Sequence, residues 1–106
     1  MSKKKKRVLV ISDMHCGSQV GLTPPEWQYV PGSSNVAKHN KFAELQKVAW
    51  DWYIKEIKKL GKVDVCLVLG DCVDGQDKKG AGVGQITTDL ETQAEMSIEA
   101  LTRINT

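Results

Sequence analysis

Two short stretches carry side chains able to do chemistry together. Asp13-Met14-His15 places a carboxylate and an imidazole two residues apart, and on extended backbone residues i and i+2 share a face. Gly70-Asp71-Cys72-Val73-Asp74 offers two more carboxylates. The glycine before Asp71 lets the backbone turn tightly and a neighbouring chain or ligand come close. A carboxylate can bridge two cations, and an imidazole can complete the shell of one. Mixed oxygen and nitrogen donors suit Mn, Fe, Zn or Co better than Mg or Ca, which prefer oxygen alone. Two such ions about 3.5–4 Å apart can clamp a phosphate and generate hydroxide from water.

Both stretches follow apolar runs. Val8-Leu9-Val10-Ile11 precedes the first, and Val63-Asp64-Val65-Cys66-Leu67-Val68-Leu69 the second. Each reads as a strand, over 7–11 and 63–69, the first buried on both faces so that no alternation is required. Between them, 40–60 reads as a helix. Phe42, Leu45, Ala49 and Trp52 form one apolar stripe, and Trp50, Tyr53, Ile57 and Leu60 an adjoining one. Lys55, Lys58 and Lys59 suit the negative end of that helix, and Gly61 supplies its stop. Strand, helix, strand makes an α/β chain with a parallel, right-handed βαβ unit. Its two strand ends then face the same way, at the edge where open α/β sheets bind ligands. That topology would bring Asp13, His15 and Asp71 together.

The rest of the chain is loop and one more helix. Gly17 to about His39 is long and broken by glycine and proline, as functional loops often are. Within it, Trp27 and Tyr29 read as anchors onto the body, with a substrate platform as the alternative. Gly75, Gly80, Gly82 and Gly84 make a second loop flexible; their spacing fits neither a dinucleotide fingerprint nor a phosphate-binding P-loop. A final helix is expected over about 88–105, capped by Thr87 or Thr88 with Glu91. Its expected stripe is Leu90, Ala94, Ile98 and Leu101, which Ile104 extends. The helical pattern runs to Thr106 without a stop signal.

In this order and context, Asp13-Met14-His15 and Gly70-Asp71-Cys72-Val73-Asp74 resemble the first two motifs of the calcineurin-like metallophosphoesterases, D-x-H and G-D-x-x-D, each after an apolar strand. The resemblance covers residues 7 to 75. The phrase from Ile11 to Gly17, with Gly21-Leu22-Thr23-Pro24-Pro25, looks most like phage- and prophage-encoded members. The resemblance implies that Asp13 and His15 bind one divalent metal, that Asp71 bridges two, and that Asp74 orients ligands or loop from behind. It implies in-line attack on a phosphate ester by a hydroxide between the metals. It also implies a four-layered α/β sandwich, of which this chain forms an opening part. The family's G-N-H-[DE] motif and its later histidines have no counterpart. His39, the other histidine, lacks the preceding asparagine and reads as exposed or capping.

The remaining features bound the function. At 106 residues the chain holds one domain at most, here a basic tail over 1–6 and the N-terminal part of a metallophosphoesterase domain over 7–106. A composition 41% hydrophobic and 26% charged excludes disorder as the default, and a net charge of +2 is too small to argue for nucleic acid. No apolar run approaches a membrane span of about 20 residues. The three cysteines, Cys16, Cys66 and Cys72, are odd in number and fit reduced thiols of a cytoplasmic protein. Cys16 and Cys72 sit beside expected ligands; they read as small packing residues, with metal binding or oxidation as the alternative. Two functional classes follow. One is a metal-dependent phosphoester hydrolase (phosphatase, phosphodiesterase or nuclease), incomplete alone and completed by a second copy or a missing C-terminal half. The other is an inactive remnant that serves as a binding or oligomerisation module through its uncovered sheet edges. Phosphomonoester, diester and nucleic-acid substrates all remain open.

Overall fold

The computed structural model describes residues 5–32, 37–76 and 84–106. Most of the basic tail, Gly80 and Gly82 therefore lie outside the described residues. The element order is β1 (Val8–Ile11), α1 (Ala37–Leu60), β2 (Val65–Val68) and α2 (Leu90–Thr102), with a 3₁₀ turn at Pro25–Trp27 between β1 and α1. β1 and β2 pair in parallel, with Val8 opposite Val65 and Ile11 opposite Val68. The chain is thus a small α/β protein with the expected strand–helix–strand order.

The sheet is not covered on both faces. Leu9, Ile11 and Cys66 pack against the core, whereas Val8, Val10, Val65 and Leu67 are each about half exposed. A continuous apolar run is compatible with one covered face or two, and both helices contribute to the same core. That core joins Trp50, Tyr53 and Ile57 of α1 to Met96 and Ala100 of α2, with Met14, Cys16, Val63 and Ile104 from the loops. The buried Tyr53 hydroxyl donates to the Ala100 carbonyl at 2.6 Å, which ties the two helices.

Element bounds shift for local reasons. β2 begins at Val65 rather than residue 63. Val63 is instead buried with its N–H on the Asn105 carbonyl, while Asp64 donates to the Arg7 carbonyl and accepts the Arg7 N–H. α1 starts at Ala37 rather than 40, so Asn40 is no boundary; its side chain accepts the Gly32 N–H at 2.8 Å. Of its two apolar stripes the helix buries one, completed by Ala43 and Gln46 at the same three–four spacing. Leu45, Val48 and Trp52 remain exposed.

α2 departs further from expectation. Its cap is Asp89, whose carboxylate accepts the Thr92 N–H and hydroxyl, in place of Thr87 or Thr88. Its last residue is Thr102, so Ile104 reaches the core from beyond the helix. The buried face is Gln93, Met96, Ser97 and Ala100, while Leu90 and Ile98 face solvent. Met96 and Gln93 are fully buried there, with Gly17 closely approaching Gln93, and of the expected stripe Leu101 packs partly against the core.

Candidate metal centre

Beyond Ile11 and Val68 the two strands keep exchanging backbone hydrogen bonds. Leu69 N–H donates to Ile11 O at 3.0 Å, Asp13 N–H to Gly70 O at 3.1 Å, and His15 N–H to Asp71 O at 2.9 Å. Cys16 N–H then donates to Cys72 O at 3.0 Å, and Asp74 N–H returns to Cys16 O at 2.9 Å. The two motif loops are therefore zippered to each other, which fixes their relative position before any side chain is considered.

Burial orients the first motif. Met14 and Cys16 are buried in the core, while Asp13 is exposed and His15 half-buried. The backbone is also unusual there. Asp13 (φ 57°), His15 (φ 46°) and Asp71 (φ 50°) are the described non-glycine residues in the left-handed region. Such conformations cost energy for L-residues and concentrate at functional sites. All three are expected ligands.

The tertiary structure brings these three together: one donor atom from each of Asp13, His15 and Asp71 lies within 4.8 Å of the others. One carboxylate pair and an imidazole at that separation fit a divalent ion, and the group could hold one. The Ser12 hydroxyl bonded to Asp13, followed by the adjacent Asp71 carboxyl, holds Asp13 below the usual carboxylate range. Two carboxylates this close repel when both are ionised, a cost that a bound cation relieves.

Asp74 stands behind them. Its Oδ1 lies 3.4 Å from His15 Nδ1, while His15 Nε2 lies 3.6 Å from Asp13 Oδ1. One ring nitrogen thus faces Asp74 and the other faces the cluster. Asp74 Oδ2 in turn accepts Gln85 Nε2 at 2.7 Å.

Several supporting residues had no motif to mark them. Gln93 is fully buried; its Oε1 accepts the Gly75 N–H at 2.8 Å, and its Nε2 donates to the Gly75 and Thr87 carbonyls. A polar residue in phase with Met96, Ser97 and Ala100 on one helix face was the available signal. Gly17 (φ +111°) lies so close to it that an added Cβ would meet Gln93 Cγ at 2.6 Å. At Gly21 an added Cβ would sit 2.1 Å from the His15 carbonyl oxygen, so this glycine permits the contact of the loop with the ligand backbone. Gln46, also buried, accepts the Tyr29 N–H and donates to the Gln19 carbonyl, holding that loop on α1.

Trp27 packs against the core, and the Tyr29 N–H donates to Gln46 of α1, so both anchor the loop. His39 packs its ring on Tyr29 at 4.9 Å and takes no part in the cluster. All three cysteines are free. Cys16 is fully buried, and burial, with the neighbouring Cys72, pushes its thiol up to about 12, which makes it a packing residue at neutral pH. No helix among the described residues is long and apolar enough to cross a membrane. No family model matches the chain, and neither the curated proteins nor the solved structures include a match.

Proposed function

We propose that this chain carries the first half of the metal site of a phosphoester hydrolase of the calcineurin-like metallophosphoesterase kind. The observation that carries this reading is the convergence of Asp13, His15 and Asp71 at the carboxyl ends of two parallel strands. The donor set favours Mn, Fe, Zn or Co. When bound, such an ion polarises a phosphoryl oxygen and lowers the pKa of water. The chain's own residues do the rest. Asp13 offers a carboxylate kept ionised by Ser12. Asp71 places a second beside it, and Asp74 lies at His15 Nδ1 while Nε2 faces Asp13.

Three ligands serve one ion. A second ion needs donors from beyond the described residues, supplied by a second copy or by a further segment of a complete enzyme. The measurement is Mn-dependent hydrolysis of an aryl phosphate alongside isothermal titration of the metal. Metal binding that is lost in Asp71→Asn supports the reading. Turnover that is robust and unaffected by Asp71→Asn removes it.

A second reading, an assembly module without activity of its own, draws on a different observation. Val8, Val10, Val65 and Leu67 leave one sheet face apolar and open, and the described residues provide no third strand for either edge. Such edges invite pairing with another copy. Light scattering distinguishes it: a stable dimer that binds no metal favours the module, and a monomer defeats it.

A further inference from the structure

The ligand cluster opens onto a cavity of about 390 Å³, of a size suited to a small organic group. Asp13, His15 and Asp74 are among its lining residues. Ile11, Met14, Val20, Leu22, Ala49 and Trp52 also line it. Val20 is 72% exposed and Trp52 63% exposed. A neighbouring cavity of about 420 Å³ shares Val20, Gly21, Ala49 and Trp52 with it and continues along α1 past Leu45 and Val48. The cavity that holds the carboxylates and imidazole thus adjoins a mainly apolar one, and the exposed Trp52 indole lines both. Among the described residues, no lysine or arginine lines either cavity. A polynucleotide would need cations along its phosphates, since these supply most of its affinity. An exposed indole face is instead a stacking partner for a flat ring.

We infer that the groove beside the ligand cluster is a subsite for a planar aromatic group carried by the phosphoester, with Trp52 as its stacking surface. This rests on the phosphoesterase reading for the phosphate end alone; the aromatic end rests on Trp52 and its apolar neighbours. The substrate class is a small aryl or heteroaryl phosphate rather than a nucleic-acid chain.

The full chain, loaded with diamagnetic Zn²⁺, is titrated with phenyl phosphate and with methyl phosphate while the Trp52 indole resonance is followed by NMR. Phenyl phosphate should bind about tenfold more tightly, within the range of a single stacking contact. Trp52→Ala should abolish that preference while leaving methyl phosphate and Zn²⁺ affinity unchanged, and Trp52→Phe should retain much of it. Equal affinity for the two esters, or a preference that survives Trp52→Ala, overturns the inference. So does a thymidine oligonucleotide that binds more tightly than phenyl phosphate. Asp71→Asn separates the two claims. If it leaves methyl phosphate binding intact, the phosphoesterase reading fails, and the aromatic preference is still decided by the Trp52 variants.

Discussion

The carboxylate of Asp74 lies 3.4 Å from Nδ1 of His15, on the side of the ring away from Asp13. A ligating histidine is commonly oriented in this way by an acidic partner, which fixes the ring and raises its basicity. Replacing Asp74 by alanine should therefore lower metal affinity by about 10–100-fold, the usual effect of removing such a partner. Titration calorimetry with Zn²⁺ measures it. An unchanged affinity would mean that the ring is held by packing alone.

The crowding of Asp13 against Asp71 gives a second expectation. Asparagine tolerates a left-handed backbone and carries no charge, so Asp13→Asn should keep or slightly raise the stability of the metal-free protein. Metal should no longer stabilise it. In the parent chain, metal at a hundred times its Kd should raise Tm by about 10 °C, from about 2.7 kcal/mol of linkage. Differential scanning calorimetry with and without Zn²⁺ gives both quantities.

Gly21 is placed against the backbone of His15, a candidate ligand. An alanine Cβ would lie 2.1 Å from the His15 carbonyl oxygen and 2.8 Å from its carbon, so backbone must move. Gly21→Ala should cost about 1–3 kcal/mol of stability, as overpacking does. It should also weaken metal binding, because the residue that moves is His15. Urea denaturation and metal titration on the same variant test the pair of effects.

Two buried groups set the alkaline limit. Burial first, then Cys72, raises the Cys16 thiol from 9.0 to about 12, and burial raises the Tyr53 hydroxyl from 10.0 to about 12. Each holds its proton more tightly when folded than when unfolded. Their contribution is thus fully present below pH 9 and is lost progressively as pH rises toward 12. The urea midpoint should fall steadily above pH 9. Tyr53→Phe should flatten the upper part of that decline, at a cost near neutrality of about 1 kcal/mol for the bond to Ala100.

The one-sided sheet predicts unequal costs for neighbouring residues. Leu9 packs on the core, so Leu9→Ala should destabilise by about 2 kcal/mol. Val10 faces outward at 52% exposure, and Val10→Thr should change stability by no more than about 0.5 kcal/mol. Equilibrium urea unfolding of the two variants is the check.

Much of the site was legible in one dimension. Two apolar runs that end in Asp-x-His and Gly-Asp-x-x-Asp, joined by a helical stripe of crossover length, leave a parallel pair with both acidic ends on one side as the simplest topology. Residue type and spacing were enough to single out Asp13, His15 and Asp71, which the fold brings together, because each donor lies just beyond its strand end. Spacing does not reveal which faces are covered. Leu9 and Val10 look alike in sequence, as do the two stripes of α1, and only the tertiary packing of the core decided that Trp50 is buried and Trp52 open. Nor could composition mark Gln93 or Gly21. Their roles follow from long-range contacts: a buried amide needs partners that arrive from distant loops, and a glycine matters only where another backbone comes within a Cβ of it.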